Sequence, residues 1–276
     1  MNETAAGRAR GRPKAFHDKT QSATIRSLDR ALSVLKTVSD GSGMSLTEVA
    51  DATQESPATI YRILTTLRLH SMVEFVEANQ LWHVGSGAFR IGTNFLRRTN
   101  LAEQSRQFME RLMVQSGETA NLAIIDQGEV IFISQVETIK PIRAFFPPGT
   151  RSAVHASGIG KAILSFRSTL KMKSLLNGQP LEAFTSHTIV QEEQLLEELA
   201  RSRIRGWSVD DEERTPGMRC IAAPIFNRFE EAIAGISISG PTVRMTKDRD
   251  AEFGMMVRQA ADEITRATGG TCPEPD

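Results

Sequence analysis

The segment from Ser45 to Val84 constrains the fold of this chain more than any other part of the sequence. Ser45 and Glu48 have the spacing of a capping box, in which each side chain accepts a backbone N–H at the start of a helix. An apolar i, i+3, i+4 stripe follows and then breaks. Ser56 and Pro57 next supply an N-cap and a first helical residue that has no N–H to leave unpaired. The segment therefore predicts two short helices separated by a tight turn.

The second predicted helix has one apolar face and one small, polar face. The apolar positions recur with helical spacing at Ile60, Ile63, Leu64 and Leu67. The opposite arc carries side chains suited to a DNA major groove, where arginine bonds guanine edges and hydroxyls bond phosphates or bases. We predict DNA contacts from Ser56, Ala58, Thr59, Arg62 and Thr65. The pair is interpreted as a helix-turn-helix, with an ordinary packed helical pair as the alternative.

Two β-type segments follow the second helix. Val73–Val76 and Leu81–Val84 are joined by a short polar connection, which predicts a two-stranded wing. A further helix upstream is predicted to close the core with Leu28, Ala31, Leu32, Leu35 and Val38. Three helices and a wing predict a winged helix-turn-helix DNA-binding domain over residues 23–87.

The uneven distribution of charge agrees with this interpretation. The chain of 276 residues has no net charge, but residues 1–99 hold 13 Lys/Arg against 9 Asp/Glu, and the remainder holds 20 against 24. A positive excess is the sign that a phosphate backbone requires. No apolar run reaches the length of a membrane span, the first residues lack a secretory signal, and the two cysteines lack metal-site spacing. We expect a soluble, cytoplasmic protein with no membrane partner, no cofactor and no metal.

The first residues of the chain have a different character. Residues 1–22 are polar and rich in Gly, Ala and Arg, so a disordered basic tail is predicted. Arg10 and Arg12 stand in an Arg-Gly-Arg-Pro-Lys run that is similar to an AT-hook, whose arginines lie in a narrow minor groove. A merely solubilising tail is the alternative.

Residues 88–100 predict a linker helix with Phe89, Phe95 and Leu96 available for packing, and residues 101–270 predict a second domain. Its predicted helices are Leu101–Gln115, Ser157–Phe166, Glu192–Arg205 and Lys247–Thr268. Its predicted strands are Asn121–Ile125, Val130–Gln135, Ile142–Phe146, Trp207–Asp210, Cys220–Phe226 and Ile233–Ser239. Strands in hairpin-like succession with helices at both ends predict an α+β fold with a mostly antiparallel sheet.

Five fragments of the chain carry a family resemblance. They are Ser56–Leu64, Trp82–Gly85, His155–Ala162, Asp210–Pro224 and Ser237–Pro241. On these fragments the chain resembles IclR-type transcriptional regulators over nearly its whole length after the tail. The resemblance implies a GAF-like effector domain that binds a small metabolite and alters the affinity for operator DNA. Phe108–Met113, Ser116–Thr119 and the segment before Arg244 are most similar to the glyoxylate-responsive regulators of allantoin use.

The resemblance also implies a ligand site. Its contacts carry over onto Gly158, Ile159, Asp210, Cys220, Ser237 and Ser239. Ser157 would cap a helix whose free first amides, predicted to be those of residues 158–160, attract an anion, and two serines at i and i+2 of a strand share one face. The implied ligand is a small 2-oxo acid, glyoxylate first and pyruvate second. The family usually has Gly-Ala where this chain has Gly158-Ile159, and the larger side chain would either shrink the pocket or point away from it.

Two alternatives to this interpretation stay open. One is a regulator of the same type that senses a different organic or aromatic acid. The other is a thiol-dependent enzyme in which Cys220, His155 and Asp210 form a triad. A phosphate-binding loop is excluded, because it requires glycine at His155 and Ser or Thr at Ala162. The favoured interpretation is a non-enzymatic regulator that binds double-stranded operator DNA as a dimer or tetramer, because a symmetric dimer reads a palindrome.

Overall fold

A computed structural model describes residues 24–168, 172 and 180–273, without the side chains of residues 95–99. The chain divides into two compact units, one ending at Phe95 and the other beginning at Leu96. The predicted tail, with Arg10 and Arg12, lies outside the described residues, and so do the side chains of Phe95 and Leu96. No helix in the described ranges combines the length and apolarity that crossing a membrane requires.

The N-terminal unit contains three helices and a two-stranded wing. They are α1 (Arg26–Asp40), α2 (Leu46–Thr53), α3 (Pro57–Leu69), β1 (Val73–Val76) and β2 (Leu81–Val84). Both predicted helix starts are confirmed. Ser45 Oγ accepts the N–H of Glu48 at 3.3 Å, and the Glu48 carboxylate accepts the N–H of Ser45 at 2.8 Å. Ser56 Oγ accepts the N–H of Thr59 before α3, and Gln54 makes the tight turn in the left-handed region.

The packing of α1 differs from the prediction. Leu28 and Leu32 are 55% and 48% exposed, whereas Val34 and Val38 are wholly buried against α2, α3 and the wing. Val38 was predicted correctly and Leu35 packs against the same core, so the prediction is wrong at Leu28 and Leu32, where the helix carries apolar residues on a second face. Met44 also exchanges both backbone hydrogen bonds with Trp82, so the segment before α2 adds a third strand-like edge to the wing.

Helix α4 (Ser86–Thr99) connects the two units in sequence. The C-terminal unit then contains α5 (Leu101–Ser116), β3 (Thr119–Asp126), β4 (Glu129–Val136), β5 (Arg151–Ala153), α6 (Gly158–Leu164), α7 (Glu192–Arg205), β6 (Ser208–Asp211), β7 (Met218–Phe226), β8 (Ala232–Pro241), a 3-10 turn (Lys247–Arg249) and α8 (Asp250–Ala267). The strands form one sheet in the order β5-β4-β3-β8-β7-β6, and every described pair is antiparallel. The predicted α+β class is confirmed.

Helices cover both faces of this sheet. Helices α5 and α8 pack on one face, where Leu112, Ile238 and Phe253 belong to a single apolar core. Helices α6 and α7 pack toward the other face, where Ile159 and Leu195 belong to a second core. The middle of the sheet is therefore closed from water on both sides.

The predicted strand Ile142–Phe146 is wrong. Prolines stand at 141, 147 and 148, and each lacks the N–H that a sheet ladder requires. Hydrogen bonding to β4 begins only after these prolines. Gly149 donates to the carbonyl of Phe132 at 2.7 Å, and Phe132 donates to the carbonyl of Thr150 at 3.0 Å. The edge strand is the three-residue β5 that follows these contacts.

We expect Ser45→Ala to lower the free energy of unfolding of the N-terminal unit by about 1 kcal/mol, because the capping box loses one of its two reciprocal bonds. Urea unfolding followed by the fluorescence of Trp82, in a Trp207→Phe background, measures this change. Ser33→Ala, at an exposed position inside α1, is the matched control and should cause no loss. Equal losses in both variants would contradict the role of the cap.

Candidate effector cavity and nucleic-acid interface

Antiparallel pairing brings the polar side chains of four strands together. Asp210 on β6 pairs with Cys220 on β7, which pairs with Ser239 on β8. Two residues further along, Ser237 on β8 pairs with Asn121 on β3. Cross-strand partners share a face of the sheet, and so do residues two apart on one strand. The pairing therefore places a polar patch on the face that α6 covers.

Helix α6 begins directly over this patch because its first turn contains glycine. A Cβ added to Gly158 would lie 2.8 Å from the Sγ atom of Cys220, and one added to Gly160 would collide with the carbonyl of Val154. The Ser157 hydroxyl caps the helix by accepting the N–H of Gly160 at 3.4 Å. The expectation of three free amides is therefore wrong for Gly160, and the N–H groups of Gly158 and Ile159 are those without a helical partner.

One small cavity lies between the start of α6 and the sheet, with a volume of about 30 Å³ open to the centre of a water molecule. Five of the six predicted ligand residues line it, namely Gly158, Ile159, Asp210, Cys220 and Ser239. Ser237 lies beside them, fully buried and joined to Asn121. The Ile159 side chain packs against Gly235 on β8. The side chain that is larger than the alanine usual in the family therefore points toward the sheet.

The cavity has further walls that the sequence did not indicate. Phe132 and Phe146 stack with their ring centroids 4.8 Å apart and form an apolar side, and Arg214 also reaches the lining. Phe146 lies in the segment that was predicted to be a strand, so no local pattern identified it. The sequence did contain a signal for a buried ion pair at Lys161. This lysine is the one charged residue of the otherwise apolar helix α6, and a buried charge requires a partner.

That partner is Glu213, and the pair is buried next to Asp210. Lys161 is 0% exposed and donates to the Glu213 carboxylate. Burial raises the pKa of Glu213 to about 7, while the ammonium of Lys161 opposes the shift. Burial likewise raises the pKa of Asp210 to about 6, against the charge of Lys161 and the N–H of Glu213, which donates at 2.8 Å. The region thus places the Lys161 side chain beside two carboxyl groups whose pKa values are raised.

The thiol triad considered from the sequence does not form. His155 Nε2 lies 2.9 Å from the carbonyl oxygen of Glu182, and the His155 ring stacks on Phe184. Burial raises the pKa of the Cys220 thiol to about 11, and the charge of Asp210 adds to this shift. Cys220 is therefore a protonated thiol at neutral pH, whereas a nucleophile requires the thiolate.

The predicted DNA-contact residues on α3 fall into two groups. Ala58, Arg62 and Thr65 are exposed, on the side opposite the buried Ile60 and Leu64. Within the described part of the chain, no side chain bonds to the Arg62 guanidinium. Ser56 and Thr59 bond to each other at 2.9 Å at the helix cap, and Thr65 Oγ1 donates to the carbonyl of Tyr61 at 2.7 Å, so all three hydroxyls already have a partner. Sequence reasoning missed Tyr61, which is 57% exposed beside Arg62.

The raised pKa of Asp210 predicts how stability depends on pH. The folded pKa of about 6 exceeds the ordinary 3.8, so the stability associated with the protonated acid is complete below pH 4 and is lost as pH rises through 6. Asp210→Asn should therefore gain stability relative to the natural chain between pH 4 and 7, by about 2–3 kcal/mol. Urea unfolding at several pH values measures the difference.

Asp211→Asn is the matched control with the opposite sign. Burial acts to raise the pKa of Asp211, but hydrogen bonds and charges from Lys247 and Arg219 hold it below its usual value. This carboxylate contributes stability that is lost as pH falls. The free energy of unfolding of the variant should therefore fall furthest below that of the natural chain at neutral pH. Parallel pH profiles for the two variants would refute the assigned environments.

Comparisons with known proteins agree with this architecture. The family model of the IclR helix-turn-helix domain matches residues 27–77, and that of the bacterial transcriptional regulator IclR C-terminal domain matches residues 93–266. The HTH-type transcriptional regulator BhcR of Paracoccus denitrificans is 49% identical over 94% of this chain and 92% of its own length. The transcriptional repressor IclR of Escherichia coli is 40% identical over 95% and 96%.

A solved structure agrees as well. The crystal structure of Thermotoga maritima IclR has a TM-score of 0.73 at 28% identity, covering 88% of this chain and 99% of that chain. The matched relatives are regulators of transcription, and this chain is a regulator and not an enzyme. Both family models match in order, and together they span most of the sequence. The chain therefore belongs to the IclR family of ligand-responsive, DNA-binding transcriptional regulators.

Proposed function

We propose that this regulator senses glyoxylate in the cavity between α6 and the sheet, and that glyoxylate binding changes its affinity for operator DNA. The observation that carries the proposal is the convergence of Gly158, Ile159, Asp210, Cys220 and Ser239 on one small cavity. Pyruvate is the second candidate ligand. A larger organic or aromatic acid is the alternative.

The size of the cavity favours the smallest acids. Only about 30 Å³ of the cavity is open to the centre of a water molecule, so it admits a ligand of few atoms. An aromatic acid would require the stacked rings of Phe132 and Phe146 to separate. Pyruvate would place its additional methyl group against one of these rings. The narrow space therefore favours a small acid such as glyoxylate or pyruvate over an aromatic acid.

The polar groups of the cavity complement a hydrated 2-oxo acid. The N–H groups of Gly158 and Ile159 and the hydroxyl of Ser239 are donors for a carboxylate. Asp210 is an acceptor for a hydroxyl of the hydrated aldehyde, and its own raised pKa reduces the repulsion between two anions. The arrangement thus offers donors at one end of a small ligand and an acceptor at the other.

The DNA-binding part of the proposal rests on α3. Ala58, Arg62 and Thr65 form its exposed side, and Arg62 has the side chain that bonds guanine edges in a major groove. We propose a basic tail over residues 1–22 with Arg10 and Arg12 in the minor groove, a winged module over 23–87, a linker over 88–100 and an effector domain over 101–270. A cytoplasmic homodimer or homotetramer would present two such modules to a palindrome.

We expect Arg62→Ala to weaken specific operator binding by about 1–3 kcal/mol, because one arginine bonded to guanine contributes that much discrimination. Gel-shift titration on the natural operator gives the affinity, and circular dichroism confirms folding. Arg201→Ala removes the same charge from an exposed position on α7 and is the control. Equal affinities of the Arg62 variant and the natural protein would remove Arg62 from the interface.

We expect Ser239→Ala to weaken glyoxylate binding by about 1.5–3 kcal/mol, because a hydrogen bond to a charged ligand is lost. So small a ligand gains at most about 1.5 kcal/mol per heavy atom, so its dissociation constant should be no tighter than about micromolar. Calorimetry with glyoxylate, pyruvate and benzoate ranks the candidates. Ser134→Ala on β4 is the control. Absence of heat with glyoxylate at millimolar concentration would refute the ligand assignment.

Operator binding supplies the second half of that test. Ligand-free Ser239→Ala protein should bind the operator as the natural protein does, because the substitution lies in the C-terminal unit and leaves α3 unchanged. Addition of glyoxylate should shift the operator affinity of the natural protein and leave that of the variant unchanged. A variant that responds normally would move the effector site elsewhere.

A further inference from the structure

Three ionisable side chains are buried together where the turn after β6 meets α6. Asp210 lines the effector cavity, and its Oδ1 atom accepts the N–H of Glu213 at 2.8 Å. The Glu213 carboxylate accepts in turn from the ammonium of Lys161, whose side chain is 0% exposed. These three residues form one cluster, which we call the acid cluster, and a ligand in the cavity contacts it at Asp210.

One oxygen of the acid cluster has no hydrogen bond. Glu213 is 5% exposed, and among the residues that the structure describes no group donates to its Oε2 atom. A buried carboxylate oxygen without a donor is costly, and protonation of the carboxyl group removes the charge that makes it so. Burial raises the pKa of Glu213 to about 7, while Lys161 opposes this shift and Asp210 adds to it. Glu213 is therefore the position at which the cluster can take a proton near neutral pH.

The other buried acids that face the cluster are balanced by cations of their own. They are Asp211 on β6 and Glu198 on α7, which lies close enough to Lys161 for their charges to interact. Burial acts to raise the pKa of each acid, but neighbouring cations hold it below its usual value. Their partners are Arg219 and Lys247 for Asp211, and Arg201 and Arg205 for Glu198. Each of these groups of charges is therefore balanced without the acid cluster.

The remaining neighbours either carry no charge or lie in water. Burial lowers the pKa of His155, which precedes α6, and raises the pKa of Cys220 on β7 to about 11, so both are neutral at neutral pH. Water screens the charges of the neighbours that are exposed, namely Glu182, His187 and Arg214. The charge of the acid cluster thus depends on Lys161, Asp210 and Glu213.

Binding of an acid would change this charge unless a proton accompanies it. With Lys161 as a cation and both carboxyl groups ionised, the ligand-free cluster has one net negative charge. A carboxylate ligand beside Asp210 would add a second negative charge between α6 and the sheet, where the surroundings are largely closed from water. A further unbalanced charge in such a place is strongly unfavourable. One proton on Glu213 restores the original net charge.

We propose that the effector cavity binds its acid together with one proton, and that Glu213 receives this proton while Lys161 stays as the counter-charge of Asp210 and the ligand. Glu213 is a positioning residue, because it acts on the ligand through its charge and through Asp210. The inference rests on the proposed effector site. Since acid and proton each strengthen the binding of the other, the affinity for the effector falls as pH rises. The regulator therefore responds to a given concentration of acid most strongly at low pH.

The first measurement counts the proton directly. Calorimetry with glyoxylate at pH 7.5 in phosphate and in HEPES, two buffers with different heats of ionisation, gives the number of protons that binding takes up. The natural protein should take up about 0.5–1 proton per glyoxylate, because Glu213 is mostly ionised before binding at this pH and protonated after it. Binding without proton uptake would overturn the inference and leave the effector assignment intact. Absence of binding would overturn both.

The variant Glu213→Gln tests which residue receives the proton. The amide has the shape of the protonated acid and cannot titrate, so the variant should bind glyoxylate with little proton uptake. Its dissociation constant should match that of the natural protein at pH 6 and should be about tenfold smaller at pH 8, where the natural protein has to gain the proton. Glu212→Gln makes the same change one residue earlier, where the side chain accepts the N–H of Gly217, and should behave as the natural protein does.

The ratio of the dissociation constants of the natural protein and Glu213→Gln separates proton uptake from other effects. A structural defect would weaken glyoxylate binding by the variant at both pH values, and loss of a fixed negative charge would strengthen it by the same factor at both. A proton that binds with the ligand gives a ratio that grows with pH. A ratio independent of pH, or full proton uptake by the variant, would remove Glu213 as the receiving group. If circular dichroism shows that the variant does not fold, the proton count of the natural protein still decides whether acid and proton bind together.

Discussion

The close approach of α6 to the sheet is the constraint on which the rest of the effector site depends. A Cβ at Gly160 would collide with Val154, one at Gly158 would press on Cys220, and one at Gly235 would lie 2.8 Å from the Ile159 side chain. Absence of these three atoms lets the first turn of α6 lie directly on the strands. The cavity is narrow above the polar patch for this reason, while the side chains of Phe132, Phe146 and Arg214 complete its lining.

A polar patch on a buried sheet face must satisfy its own hydrogen bonds, since water cannot do so. Asn121, Ser237 and Ser239 achieve this together, and Lys161 does so with Glu213. One Glu213 oxygen is buried and has no partner within the described residues, which agrees with the raised pKa of that acid. Such a network is costly to rearrange, so the positions of its donors are fixed before any ligand arrives.

The sequence predicted what depends on local spacing. The two caps, the wing, the shared face of Ser237 and Ser239, and the capped helix start at Ser157 all follow from neighbours within a few positions. It did not predict Asn121, whose partner Ser239 is 118 positions away. It wrongly placed Leu28 and Leu32 in the core, because the sequence of a helix does not show which of its apolar residues another element will cover. It failed at Ile142–Phe146, where the apolar pattern outweighed the prolines around it.

Hydrogen-bonding groups that are held in place have a consequence for the selectivity of ligand binding. A ligand of five or six heavy atoms buries little apolar surface, so its binding free energy must come mainly from directional hydrogen bonds. Such bonds discriminate strongly only when the protein groups cannot turn to suit a different ligand. Gly158 and Ile159 present backbone N–H groups, and the serine hydroxyls are held by Asn121. Discrimination between small acids therefore derives from what surrounds the contact atoms as much as from those atoms themselves.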